Sequence, residues 1–133
     1  RGEPALALKL SETVLSPVER AAAQSRIFFK IQNFAKAIEE ALAALALDPL
    51  KHDLLYILVR SYKKLREYNA AYEWAERFRL RNPSHTGNLV HLAHLATILH
   101  FDKEAQLFAE EALRLNPGIP AAEQIMQKVG PSA

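Results

Sequence analysis

Residues 34–49, FAKAIEEALAALALDP, determine the fold of this chain. Ala37, Ala41 and Ala44 lie four and three residues apart, which places them on one face of an α-helix, and a proline ends the stretch. The same pattern returns 34 and 68 residues later, as Ala71, Ala75, Phe78 and Pro83, and then as Ala105, Ala109, Ala112 and Pro117. A helical pattern that recurs at a fixed period of this length predicts stacked repeats.

The composition favours helices over strands. Half of the 133 residues are hydrophobic and only 4 are Gly, and Ala and Leu are much more common than Val and Thr. The chain has no Cys, which excludes a disulfide framework and a zinc–thiolate site. We therefore predict an all-α chain of one domain, residues 1–133.

Charge and hydropathy restrict the classes of partner. The formal net charge of +2 is too small to indicate nucleic acid or an anionic membrane by itself. No apolar run approaches the roughly 18 to 20 residues that a membrane helix needs, and residues 1–10, RGEPALALKL, lack the layout of a signal peptide. The sequence thus predicts a soluble protein of the cytoplasm or periplasm, without membrane insertion.

Start and stop signals divide the chain into helices. Ser16, Pro17 and Glu19 have the order of an N-cap, a first helical residue and a capping-box acid. We predict helices at about 17–31, 34–47, 49–65, 68–81, 83–100, 102–115 and 121–129. The predicted parts are the second helix of a partial repeat (1–15), three repeats (16–49, 50–83 and 84–117) and a capping helix (118–129). A partial repeat at the start suggests a fragment of a larger protein.

This unit resembles the tetratricopeptide repeat, abbreviated TPR. The shared features are the 34-residue helix–turn–helix, the small residues early in the second helix and four and seven places later, and the closing Pro. The resemblance covers about residues 18–129 and implies a right-handed solenoid of antiparallel helix hairpins. The chain departs from the family pattern at three places. Val59 and Phe78 stand where a small residue is usual, and Asp102 stands where an aromatic residue is usual. Members of the family are scaffolds that bind peptides or protein surfaces, so the resemblance implies a binding module and not an enzyme.

One position in each repeat is basic. When each unit is counted so that its Pro falls at place 32, the ninth places hold Arg26, Arg60, His94 and Lys128. No acid lies three or four residues from the first three of these on the same helix, so we expect positive charge that is not neutralised locally. In a solenoid of this kind the first helices line the concave face. The alternative is a solvated row of basic residues that binds nothing.

Apolar and further basic residues accompany this row. We expect Phe29, Tyr56, Ile57 and Val90 to offer apolar contact, and Lys30, Lys64 and His91 to add polar contact. Exposed apolar side chains beside Arg suit a segment with both hydrophobic and carboxylate groups. The predicted partner is therefore a protein or peptide with acidic groups, bound in a concave groove. No small-molecule substrate and no cofactor is predicted.

A subclass of the family holds the C-terminal carboxylates of heat-shock chaperones with Lys, Asn and Arg side chains. The equivalent places here are Ala22, Arg26, Ile57, Gly87 and His91, and none has the required residue type. The resemblance therefore does not extend to binding of chaperone tails.

Other function classes are less well supported by the sequence. His91 and His94 lie three apart, with His85 and His100 nearby, but no Glu or Cys completes a familiar zinc pattern, and we predict no metal. No phosphate-binding Gly-rich loop or nucleophile pattern indicates catalysis. Nucleic-acid binding is not favoured, because aromatic residues do not alternate with the basic ones. A structural spacer, or self-association through the partial first repeat, is the remaining alternative.

Overall fold

The computed structural model describes residues 16–129, and every regular element in that range is an α-helix. The helices are α1 (Pro17–Lys30), α2 (Phe34–Leu47), α3 (Asp53–Lys64), α4 (Tyr68–Arg81), α5 (Thr86–Ile98), α6 (Asp102–Leu115) and α7 (Pro120–Val129). The predicted all-α class is confirmed. The predicted helix at residues 1–15 lies outside the described residues.

The helices form two compact units. The N-terminal unit, described from residue 16 to Glu67, contains α1, α2 and α3, and α3 packs against both members of the α1–α2 pair. The C-terminal unit begins at Tyr68 and contains α4 to α7. Within it α5 pairs with α6, α4 packs on α5, and α7 packs on both α6 and α5. The division into repeats within a single domain stays a prediction.

The alanine faces are buried, as the opening pattern predicts. Their members have no exposed surface, and Phe78, which replaces a third small residue in α4, is 5% exposed. The alanines of these faces are Ala37, Ala41, Ala44, Ala71, Ala75, Ala105, Ala109 and Ala112. Because a methyl group fills little space, the helix backbones come close together. In the α1–α2 pair this closeness allows the buried Ser25 hydroxyl to donate a hydrogen bond to the Ala37 carbonyl at 2.7 Å.

The leucine stripes of the first helices form the rest of the core. Leu54 and Leu58 of α3 are fully buried, and Leu92 and Leu95 of α5 are equally inaccessible. Spacing of three and four residues keeps such side chains on one helix face. Buried leucine of one helix and buried alanine of its neighbour therefore make up much of the core of each unit.

Two helices begin later than the sequence pattern indicated. The predicted starts at 49 and 83 are wrong, because α3 begins at Asp53 and α5 at Thr86. Pro49 instead lies inside a tight turn. The Asp48 carboxylate accepts a hydrogen bond from the Leu50 N–H at 3.0 Å, and the Asp48 carbonyl accepts one from the Lys51 N–H at 3.2 Å. Proline suits the second position of such a turn as well as the first position of a helix, so its presence could not distinguish them.

A second 34-residue regularity lies where the first helices end. Gln32, Arg66 and His100 adopt the left-handed conformation, with φ of 66°, 63° and 65°. After α1 the Asn33 N–H donates to the Phe28 carbonyl at 2.8 Å, which is the six-residue hydrogen bond of a Schellman motif. These are positions where Gly is the usual residue, since a Cβ atom disfavours positive φ.

Glycine at any of these three positions is expected to stabilise the protein. We expect Gln32→Gly, Arg66→Gly and His100→Gly each to raise the free energy of unfolding by about 0.5–1 kcal/mol, because the steric cost of the Cβ disappears. Urea denaturation measures the change. Gln32→Ala, which keeps the Cβ, is the control and should give no gain. A lower free energy of unfolding for all three glycine variants would contradict the prediction.

Candidate functional site

The two units share the residues predicted to bind a partner. Arg26, Phe29, Lys30, Tyr56, Ile57, Arg60 and Lys64 belong to the N-terminal unit, whereas Val90, His91, His94 and Lys128 belong to the C-terminal unit. The prediction that these residues form one row on one surface stays a prediction.

Arg60 of α3 is held between two aromatic rings. Its guanidinium carbon lies 4.5 Å from the ring centre of Phe29 on α1 and 4.6 Å from that of Tyr56, one turn earlier on α3. Phe34 at the start of α2 supports Phe29 edge-to-face, with ring centres 5.4 Å apart. A cation that faces an aromatic ring gains about 0.5–2 kcal/mol, depending on how far water is excluded. Rings from α1 and α3 thus contact one guanidinium group, and a ring from α2 supports one of them.

The guanidinium of Arg60 has no carboxylate or hydrogen-bond partner within residues 16–129. Its Nε atom is buried and makes no hydrogen bond, while the side chain as a whole is half-buried. Burial raises the pKa of the Tyr56 phenol above its ordinary value, and the Arg60 charge acts against this rise. The site therefore presents a positive charge beside a neutral phenol. The guanidinium has N–H donors that no described residue uses.

Arg26 has an acidic partner, contrary to the expectation of local positive charge. Its guanidinium is ion-paired and hydrogen-bonded with the Asp53 carboxylate at the start of α3. The two side chains are 48% and 57% exposed, so the pair is in contact with water. Sequence spacing reveals only acids one turn away on the same helix, and Asp53 comes from the helix packed beside it. Arg26 and Arg60 therefore differ in state although they occupy equivalent places.

Ile57 is a core residue and not an exposed contact. It is 6% exposed, which corrects its predicted place among the apolar groups offered to a partner. Its neighbour Leu58 is fully buried, and α3 has a wide apolar face that includes both.

Lys30 and Lys64, which were predicted to contact a partner, are exposed at the ends of α1 and α3. The pKa of Lys63, next to Lys64, is lowered by burial first and by the charge of Lys64 second.

The predicted residues of the C-terminal unit include half-buried and exposed side chains. Val90 and His91 are half-buried, and His94 and Lys128 are exposed. Both histidines make interactions with other groups. In residues 16–129 no group of three or more His, Cys, Asp and Glu side chains is arranged to hold a metal ion. His85 caps α5 instead, since its Nδ1 accepts a hydrogen bond from the Asn88 N–H at 3.0 Å.

An aromatic cluster of the C-terminal unit was missed in the sequence. The Tyr72 ring on α4 meets Phe101 and Phe108 edge-to-face, with ring centres 5.5 Å and 6.5 Å apart. Burial, followed by the charges of Glu76 and Glu104, raises the pKa of Tyr72 to about 12. The Arg79 guanidinium lies 5.3 Å from the ring centre of Phe108 and is ion-paired with Glu76, so basic and acidic groups both border the cluster.

Asp53 is a residue of this candidate site that was not predicted from the sequence. The signal that could have revealed it is its register, because Asp53, Tyr56 and Arg60 follow one another at intervals of three and four residues along α3. The pairing of Arg26 with Asp53 and of Phe29 with Arg60 follows from α1 and α3 lying side by side. Spacing within one helix does not contain this information.

No protein-family model and no curated protein matches the sequence. Solved structures do match. A crystal structure of MamA superposes with a TM-score of 0.86 at 21% identity, over 96% of this chain and 77% of that one. The first TPR domain of Spaghetti (RPAP3), bound to the HSP90 peptide SRMEEVD, superposes with a TM-score of 0.75 at 20% identity, over 84% of this chain and 89% of that one.

The chain has the TPR fold. A second MamA structure agrees, with a TM-score of 0.82 at 20% identity, over 97% of this chain and 75% of that one. The predicted resemblance and the predicted helical-solenoid class are thereby confirmed. Within the described part of this TPR fold, no helix has both the length and the apolar character required to cross a membrane.

Proposed function

We propose that this chain is a protein-interaction module that binds a peptide segment with an acidic side chain next to apolar ones. One observation carries the proposal, namely the Arg60 guanidinium held between the rings of Phe29 and Tyr56. A planar guanidinium can bind a carboxylate through two parallel hydrogen bonds. Because two rings already contact this guanidinium, less side-chain freedom is lost when a carboxylate binds.

The same residues account for the apolar part of the partner. Phe29 and Tyr56 are half-buried, so each has ring surface left that water reaches. Tyr and Arg are, with Trp, the residue types enriched at the energetically dominant positions of interfaces. When a carboxylate of the partner peptide binds Arg60, the peptide residues next to that carboxylate would lie over these rings.

A structural relative offers a chemical parallel. The peptide bound to the TPR domain of Spaghetti (RPAP3), SRMEEVD, combines Met and Val with Glu and Asp. Transfer of that ligand to this chain is not implied, because two of the equivalent chaperone-clamp places hold Ala22 and Ile57, which are 1% and 6% exposed. We propose the same class of peptide, acidic and hydrophobic, recognised through Arg60.

Selection from a random display library of linear peptides against the full chain tests this function. We expect the wild-type chain to enrich peptides with Asp or Glu within two residues of an apolar side chain. Arg60→Gln should reduce that enrichment at least about tenfold, since a hydrogen bond to a charged group contributes about 1.5–3 kcal/mol. Sequencing of the selected pools measures the enrichment.

Arg114→Gln is the matched control. Arg114 pairs with Glu111 on the exposed surface of α6, so its loss also removes one positive charge but leaves the Arg60 site intact. Enrichment of acidic peptides that persists in Arg60→Gln, or a pool without acidic residues, would refute the proposal. An absence of any enriched peptide would favour the role of a structural spacer.

A further inference from the structure

The Arg26–Asp53 ion pair lies one helical turn from the Arg60 site. Arg26 and Phe29 are three residues apart on α1, and Asp53, Tyr56 and Arg60 occupy successive turns of α3. At a rise of 1.5 Å per residue, the two guanidinium groups are separated along the helices by roughly 5–10 Å. We call the contact line of α1 and α3 formed by these five residues the seam.

The two arginines of the seam are in different states. Arg26 already holds a carboxylate, which the chain itself supplies through Asp53. Arg60 faces only aromatic rings and has no carboxylate among the described residues. The Arg26–Asp53 pair therefore displays, within the molecule, the contact that we propose a partner makes at Arg60.

We infer that Asp53 is an intrachain ligand that occupies a second anion-binding position and limits the partner to one acidic side chain at the seam. The inference rests on the proposed function. A second partner carboxylate that approached Arg26 would meet the negative charge of Asp53 before it could bind. Like charges at such a distance repel, so a segment with two suitably spaced acids is disfavoured.

The distances show which segments Asp53 would exclude. Acidic residues two apart in an extended chain are separated by about 6.5–7 Å, and those four apart on a helix by about 6 Å. Both values fall within the roughly 5–10 Å that the helical rise gives for the separation of the two guanidinium groups along the helices. With Asp53 neutralised, Arg26 and Arg60 could bind such a pair of carboxylates together.

The test repeats the peptide selection with the Asp53→Asn variant of the full chain. Asn has nearly the same shape but no charge, so Arg26 loses its internal partner. We expect a second enriched acidic position, two or four residues from the first, with diacidic peptides at least about tenfold more frequent than in the wild-type pool. The double variant Arg26→Gln with Asp53→Asn should return the pool to a single acidic position.

Glu39→Gln is the control for a general effect of charge. Glu39 lies on α2 of the same unit and faces Lys36 at 4.0 Å, so the variant changes the net charge by the same amount away from the seam. Its pool should resemble that of the wild type. Circular dichroism checks that each variant keeps the helical fold, which the exposed Arg26–Asp53 pair should not control.

The outcomes separate the two proposals. If the wild-type pool is acidic but Asp53→Asn selects the same single position, or if Glu39→Gln also gains a second position, the role of Asp53 is refuted and the proposed function stands. If no pool is enriched in acidic residues, the proposed function fails, and the role of Asp53 fails with it. A second acidic position that disappears in the double variant supports both.

Discussion

Replacement of Leu58 by Ala is expected to lower the free energy of unfolding by about 2–5 kcal/mol. Leu58 is fully buried in α3, the helix that packs on both α1 and α2. The substitution removes apolar surface from the core and leaves a cavity that the close-packed alanine faces have little freedom to fill. Since whole domains are stable by only about 5–15 kcal/mol, a change of this size is a large fraction of the total.

Urea denaturation followed by circular dichroism measures the effect. Leu50→Ala is the matched control, because Leu50 lies in the turn before α3 and is 68% exposed. We expect it to change the free energy of unfolding by no more than about 0.5 kcal/mol. Equal effects of the two substitutions would mean that the core is not organised as described.

Reversal of the charge at Arg60 is expected to have the largest effect on binding. For a peptide returned by selection on the wild-type chain, we expect Arg60→Glu to weaken the affinity at least about a hundredfold. Loss of a hydrogen-bonded ion pair alone accounts for about 1.5–3 kcal/mol, and the new carboxylate adds repulsion. Fluorescence anisotropy with the labelled peptide measures the dissociation constant.

Arg60→Lys separates charge from geometry. Lysine keeps the positive charge but has neither the planar fork nor the stacking surface that lies 4.5 Å from Phe29 and 4.6 Å from Tyr56. We expect a loss of about tenfold, between the wild type and Arg60→Glu. Arg114→Glu, which reverses a charge on the exposed face of α6, should leave the affinity unchanged. An unchanged affinity in Arg60→Glu would contradict the assignment of the site.

Elements whose signals are local could be predicted well from the sequence. The bounds of α2, α4 and α6 agree with the predicted ones, and the alanine faces are buried as expected. The starts of α3 and α5 were misplaced, because a proline before a helix suits a turn and a first helical residue equally. The three left-handed residues carry no sequence signal, since none of them is Gly.

For the candidate site, several of the residues were predicted from the sequence, but the contacts between their side chains were not. Arg60 was expected to be a charged contact, and Phe29 and Tyr56 were expected to be apolar ones. Their arrangement as a guanidinium between two rings required the packing of α1 against α3. The same packing places Asp53 where it pairs with Arg26. Ile57, which was expected to be an exposed contact, is buried in the core.

The sequence by itself determined the period, the all-helical class and the buried alanine faces. Hydrogen bonds within a helix and the spacing of small and apolar side chains act over a few residues. Because this local pattern recurs in each repeat, it can be recognised in the sequence. Only the tertiary structure decided the states of the basic residues. Asp53 lies 27 positions from Arg26 in the chain, and contacts across that separation depend on which helix faces which. For this reason two arginines at equivalent places in the sequence differ in state. Arg26 is ion-paired with Asp53, whereas Arg60 contacts aromatic rings.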